Sequence, residues 1–129
     1  MVNEKTTTFF LKLVSIIYFW VILTSCVKID CNKIPEEFVS YESGIKFVKT
    51  SSFQITDKIK TPSSSWIIGA QFYSCDNTVG FLVIVTQKKE YLHQGVPVEV
   101  WQNFKNANSY GEFYNKFLKG KFKLKMASK

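Results

Sequence analysis

Hydrophobic positions in this chain change their rhythm three times. From Leu13 to Leu23 they run almost unbroken through Val14, Ile16, Ile17, Tyr18, Phe19, Trp20, Val21 and Ile22, behind a polar start that carries Lys5 and Lys12. A core of about a dozen apolar residues matches a secretory h-region and is shorter than the roughly 20 a membrane-spanning helix needs. Between Val27 and Lys60 no useful helical period shows. There Ile45 and Phe47 flank Lys46, and Phe53 and Ile55 flank Gln54, so one or two short strands are predicted, packed on the main domain or paired with its edge. Thr61-Pro62-Ser63-Ser64-Ser65 then reads as a boundary, because Pro and clustered Ser favour turn and extended backbone.

Beyond residue 63 the pattern sharpens into period two. Trp66, Ile68, Ala70 and Phe72 alternate with Ile67, Gly69, Gln71 and Tyr73, which predicts a strand with that first row turned to the core. Turn residues at Ser74-Cys75-Asp76-Asn77-Thr78 lead to a second strand with Phe81, Val83 and Val85 on one face. The polar turn Gln87-Lys88-Lys89-Glu90 precedes a third around Tyr91-Leu92-His93. Short links between three strands imply an antiparallel meander.

At Gly95-Val96-Pro97 the period switches to that of a helix. Pro97 suits a first helical turn, and Val100, Trp101, Phe104 and Ala107 share one face. Ser109 to Glu112 has the form of a capping box, opening a second short helix through Phe113, Phe117 and Leu118 that stops at Gly120. The expected fold is therefore α+β, β-β-β-α-α with room for extra edge strands. Its helices cover one sheet face and leave the other partly open. The aromatic stripes fit a core or, alternatively, a ligand groove. The last run, Lys119-Gly120-Lys121-Phe122-Lys123-Leu124-Lys125-Met126, alternates charge with apolar groups, as an edge strand with Phe122, Leu124 and Met126 inward would.

Composition narrows the picture. With 129 residues, 46% of them hydrophobic, the chain has room for one folded domain and none for a large multi-domain enzyme. Its formal charge is +7, and all 17 basic residues are lysine. Without arginine's planar fork, specific reading of phosphates and guanine edges is disfavoured, while diffuse attraction to anionic surfaces remains.

The apolar block ends in Leu23-Thr24-Ser25-Cys26, which resembles the bacterial lipobox. That resemblance implies thiol lipidation of Cys26 and cleavage before it, giving residues 1–25 as a signal peptide. The mature chain would keep 15 lysines against 9 acidic residues. Acyl chains add about 0.8 kcal/mol per buried methylene, so anchoring would need no transmembrane helix. The expected location is the cell envelope. The expected partners are the membrane through its anchor, with anionic headgroups or another envelope protein beyond it, and nucleic acid is disfavoured but open. Cys31 and Cys75 remain, an even number that suggests one disulfide outside the cytoplasm or, alternatively, two buried thiols.

Several pieces taken in order resemble the KTSC domain: Ser64-Ser65-Trp66-Ile67, Phe81-x-Val83-x-Val85, Tyr91-Leu92-His93, Gly95-Val96-Pro97, and Ala107-x-Ser109-x-Gly111-x-Phe113-Tyr114-Asn115 with Gly120-Lys121-Phe122. The resemblance covers 63–122, leaving 26–62 as lipidated N-terminus and linker and 123–129 as a basic tail. It implies a small module without established activity, for which attachment to lysyl-tRNA synthetases has suggested RNA binding. The family's Tyr-x-aromatic element ends here in His93, its usual turn Gly is replaced by the Lys88-Lys89 pair, and a basic position often held by Arg is Lys119.

Candidate chemistry is sparse. Cys75 with His93, the one histidine, is the single nucleophilic pair to state, and a structural histidine is the alternative. One His and two Cys make no tetrahedral metal set, and there is no Gly-rich phosphate loop or Gly-x-Ser-x-Gly elbow. The expectation is a non-catalytic interaction module without cofactor or metal, with RNA binding as its alternative. Candidate binding residues are Tyr91, His93, Asn115, Lys88, Lys89, Lys119, Lys121, Lys123 and Lys125. Asn115 could equally hydrogen-bond its own turn, and the lysine run could simply be a solvated edge.

Overall fold

The computed structural model describes residues 4–21, 28–62 and 65–128. Helix α1 spans Glu4–Val21, and among the described residues no helix is long and apolar enough to cross a membrane. Cys26 and the lipobox lie outside the described residues. After a 3-10 turn at Cys31–Lys33 come α2 (Tyr41–Thr50) and four strands: β1 (Ile55–Lys60), β2 (Ile67–Ser74), β3 (Val79–Thr86) and β4 (Glu90–Pro97). Helices α3 (Val98–Lys105) and α4 (Tyr110–Phe113) follow, the latter continuing as a π turn over Tyr114–Leu118. The fold is α+β, with an antiparallel sheet in the order β1-β2-β3-β4.

The three-strand meander gains the edge strand for which the alternation around Phe53 and Ile55 left room: β1 pairs along its length with β2, from Ile55 with Ser74 to Lys60 with Gly69. Residues 45–47, expected as a strand, belong instead to α2. Its start is set by a reciprocal cap in which the Ser40 side chain accepts from the Ser43 N-H and Ser43 accepts from the Ser40 N-H. The apolar face Tyr41, Ile45 and Val48 is at helical spacing, but Gly44 interrupts it. That glycine is buried, and a Cβ there would lie 2.9 Å from Leu124 Cδ2 and 3.3 Å from Leu92 Cδ2, so close packing explains a residue that weakens the helix signal.

In β2 the expected inward row is displaced. Ile67, Ala70 and Phe72 are fully buried, while Trp66 and Ile68 are 46% and 43% exposed. A bulge between Ile67 and Gly69 inserts one residue and reverses the alternation before it. Pro97 also differs from expectation. It ends β4, paired with Val79, and serves as the N-cap of α3 instead of sitting in its first turn. Its backbone (φ −61°, ψ 146°) is extended, and a proline is tolerated at the end of an edge strand.

Both sheet faces are covered. On the first, Ala70, Phe72, Leu82, Ile84 and Val96 lie under Trp101, Phe104 and Leu118. Trp101 stacks on Phe72 at 5.7 Å, and its Nε1 donates to Asp57 Oδ2 at 2.9 Å. Lys105 Nζ reaches the same oxygen at 2.6 Å and holds the Asp57 carboxyl below its usual range. On the second face, expected to be partly open, Tyr73, Val83 and Leu92 pack under Val48, with Phe53, Phe81 and Leu124 around them. α2 and the tail supply this cover.

The tail is not the expected strand. It runs extended beside β4, with Gln94 N-H donating to Phe122 O at 3.3 Å, Lys125 N-H to Gln94 Oε1 at 2.9 Å, and a single bridge between Phe38 and Met126. Phe122 joins the first core and Leu124 the second, so alternate residues part to opposite faces as a flat strand would not allow. Met126 stays 47% exposed.

Candidate functional site

The bulge in β2 decides the most distinctive surface of the molecule. It turns Trp66 out of the core row and lays its ring edge-on against Tyr114, with centroids 5.4 Å apart. Gly111 in α4 makes room: a Cβ there would lie 2.5 Å from Trp66 Nε1, so any larger residue would lift the indole. Ser109 starts that helix by accepting from the Glu112 N-H at 3.3 Å, one half of the expected capping box, and Gly120 ends the segment at φ +75°.

Tyr114, itself buried, gathers three rings. Tyr91 lies 6.1 Å from it and His93 5.5 Å, besides Trp66. Burial also pushes the Tyr114 hydroxyl above its ordinary range. The indole thus stands on a packed aromatic base, which limits its rotamers while much of the ring stays exposed.

Two depressions meet at Trp66. The larger, an open groove of about 760 Å³, is lined by Ser65, Trp66, Thr86, Gln87, Lys88, Lys89 and Tyr91. Lys89 Nζ stands 4.7 Å from the centre of the Tyr91 ring, a cation–π contact. None of the lining residues is acidic, and the neighbouring Glu90 carboxylate is engaged by Lys49 at 2.5 Å. The smaller depression shares Ser65 and Trp66 with the larger and holds Asn115 with Asn108, Ser109 and Glu112.

The structure therefore brings Lys88, Lys89 and Tyr91 together and sets Asn115 in the adjoining depression. It places the other candidates elsewhere. His93 is only 7% exposed; its Nδ1 lies 3.3 Å from Phe122 O, its Nε2 has no partner, and burial lowers its pKa from 6.5. Lys119, Lys121, Lys123 and Lys125 are exposed along the tail outside the groove. Cys75 is bonded to Cys31, with Cα atoms 6.0 Å apart, at the opposite end of the sheet. Cys75 therefore sits against Cys31 in the β2–β3 turn while His93 packs beside Tyr114, so the structure does not bring the two together as a nucleophilic pair. The sequence pattern assigns Trp66 itself to the core row, and only a bulge that no local motif announces turns it outward.

A family model described as the KTSC domain matches residues 80–122. Among solved structures, the crystal structure of a KTSC domain protein from Yersinia pestis is 31% identical, covering 57% of this chain and 100% of that one, with a TM-score of 0.46. The chain belongs to the KTSC domain family. The family match takes in β3, β4, α3, α4 and the π turn, and so contributes Lys88, Lys89, Tyr91, Tyr114 and Asn115 to the site, while Trp66 lies ahead of it. Nothing among the curated proteins matches this KTSC chain.

Proposed function

We propose that this KTSC protein is a membrane-tethered, non-catalytic interaction module, held by acyl chains on Cys26, with the Trp66 groove as its binding surface. The observation that carries the binding surface is an exposed indole fixed on Tyr114 beside Lys88 and Lys89 in a groove without carboxylates. A flat ring can stack on Trp66 while an anionic group meets the two ammonium groups, so the ligand class is a ring-bearing anion. The tether rests on the signal-like block and the Leu23-Thr24-Ser25-Cys26 sequence.

One experiment addresses both halves. The full chain, expressed in a bacterium with labelled palmitate, incorporates label and partitions with membranes, and Cys26→Ala abolishes both. Retention of the detergent-solubilised protein on a sulfated polysaccharide column then falls for Lys88→Gln with Lys89→Gln. Trp66→Ala weakens it by about tenfold or more, as loss of a central aromatic contact does. Gly111→Ala, which displaces the indole without removing it, gives an intermediate loss. Equal retention of all four proteins sinks the groove, and an unlabelled wild-type chain sinks the tether.

The same pairing of an exposed indole with lysines also favours a second reading, single-stranded nucleic-acid binding, which uses aromatic platforms inside a basic channel. Compartment separates the two: a cytoplasmic, unlabelled chain that binds oligoribonucleotides through Trp66 supports the second.

A further inference from the structure

The route of the chain from its anchor into the fold carries a consequence for that groove. Cys31 is bonded to Cys75, in the β2–β3 turn, and the segment around it is also held by backbone: Cys31 N-H donates to Ser52 O at 3.0 Å and Ser52 N-H to Ile29 O at 2.7 Å. Lys28 lines the same depression as Cys31, Ser52 and Cys75. Only Val27 stands between Cys26 and Lys28 in the sequence, and two residues of chain span at most about 7 Å when fully extended. The described chain that follows the anchor position thus starts, at Lys28, beside the β2–β3 end of the sheet.

The groove occupies the other end. Ile67 pairs with Thr86, and the β3–β4 turn with Lys88 and Lys89 lies beside Trp66, whereas Ser74 pairs with Gly80 next to Cys75. The eight residues of β2 separate the two ends by roughly 26 Å. A long flexible leash would let the domain tumble and offer any surface to the bilayer. A two-residue lead into a cross-linked, hydrogen-bonded segment does not.

We infer that the short lead and the Cys31–Cys75 bond stand the domain on its β2–β3 end, so that the Trp66 groove faces away from the anchoring bilayer and takes its anionic ligand from the aqueous side. This rests on the lipid anchor proposed above. On this orientation Lys88 and Lys89 are too far from the headgroups of the anchoring membrane to pair with them. The partner is a ring-bearing anion of the aqueous space, and the lipid surface is excluded as the groove's occupant.

The protein contains its own reporter. Of its three tryptophans, Trp20 precedes the cleavage position, Trp101 is 1% exposed and Trp66 is 46% exposed. Quenching of the mature protein's emission therefore reports chiefly on Trp66, which the Trp66→Phe variant verifies. The palmitoylated chain is reconstituted into vesicles that carry a nitroxide on the lipid headgroup, and acrylamide is added separately. Acrylamide quenches the Trp66 emission, and the headgroup nitroxide leaves it unchanged. Strong quenching of Trp66 by the nitroxide in a palmitoylated chain overturns the orientation and leaves the anchor standing. Failure to take up palmitate overturns both, and the labelling shows which has happened.

Discussion

The two faces of the sheet are covered by different means. On the first, α3 and α4 follow β4 directly in sequence, and Trp101, Phe104 and Leu118 close over Phe72, Leu82 and Ile84 with an added polar clasp from Asp57 to Trp101 and Lys105. On the second, α2 comes from ahead of the sheet, assisted by Phe38 and by Leu124 of the tail; the segment leading into it is cross-linked through Cys31 to Cys75, and its Tyr41 hydroxyl accepts from the Leu92 N-H. The family match, 80–122, spans the helices of the first face and stops short of α2. The comparison teaches that a local, contiguous cover holds itself by packing, whereas a cover recruited from a distant segment is tied down by contacts far apart in sequence.

Cutting into the first face should have the largest effect. Trp101→Ala removes a fully buried indole and its bond to Asp57, and costs about 3–5 kcal/mol in a urea titration. Hydrogen exchange should show α2 opening together with the sheet. Protection persisting in α2 would mean that the faces fold independently.

Next comes the cross-link. Replacing Cys31 and Cys75 by Ser, 44 residues apart, should lower stability by about 4 kcal/mol on loop-entropy grounds. Its signature should be local, with amides of α2 and residues 29–53 exchanging faster than those of α3. Uniform acceleration would show that the second face does not depend on the bond.

Acid should weaken the first face in two steps. His93 has its pKa lowered by burial, so the unfolded chain takes up a proton below about 6.5 before the folded one does. Stability therefore falls as pH drops from about 6.5 toward the lower folded value, and His93→Gln should flatten that limb. Asp57 is lowered by Lys105, so its contribution is present above the ordinary carboxylate range and lost as pH falls through its depressed value. The pair is part-exposed, which limits Asp57→Asn to about 1 kcal/mol at neutral pH. Thermal melts from pH 7 to pH 2 separate the two limbs.

The smallest change in stability belongs to the tail. Replacing Lys119, Lys121, Lys123 and Lys125 with Gln should cost less than about 0.5 kcal/mol, because all four are exposed. It should nevertheless flatten the salt dependence of adsorption to anionic vesicles. Unchanged adsorption at low salt would reduce these lysines to a solubilising fringe of the edge.

Sequence alone determined the features that depend on near neighbours. Alternation over Leu82 to Val85, the helical stripe of Trp101 and Phe104, the cap at Ser109 and the stop at Gly120 are set by residues within one or two turns of each other, and each is where the pattern places it. Tertiary structure alone decided what depends on distant partners. The segment around Gly44 shows no useful helical period until Leu92 and Leu124 are seen packed against that glycine. Trp66 reads as core until a bulge, set by pairing with β3, turns it outward. His93 reads as either a binding or a structural histidine, and only Tyr114 and Phe122 packed against it decide for the second. The groove joins Ser65, Trp66, the β3–β4 turn and Tyr91, which no sequence period connects, because strand register and helix packing bring them together only in the folded chain.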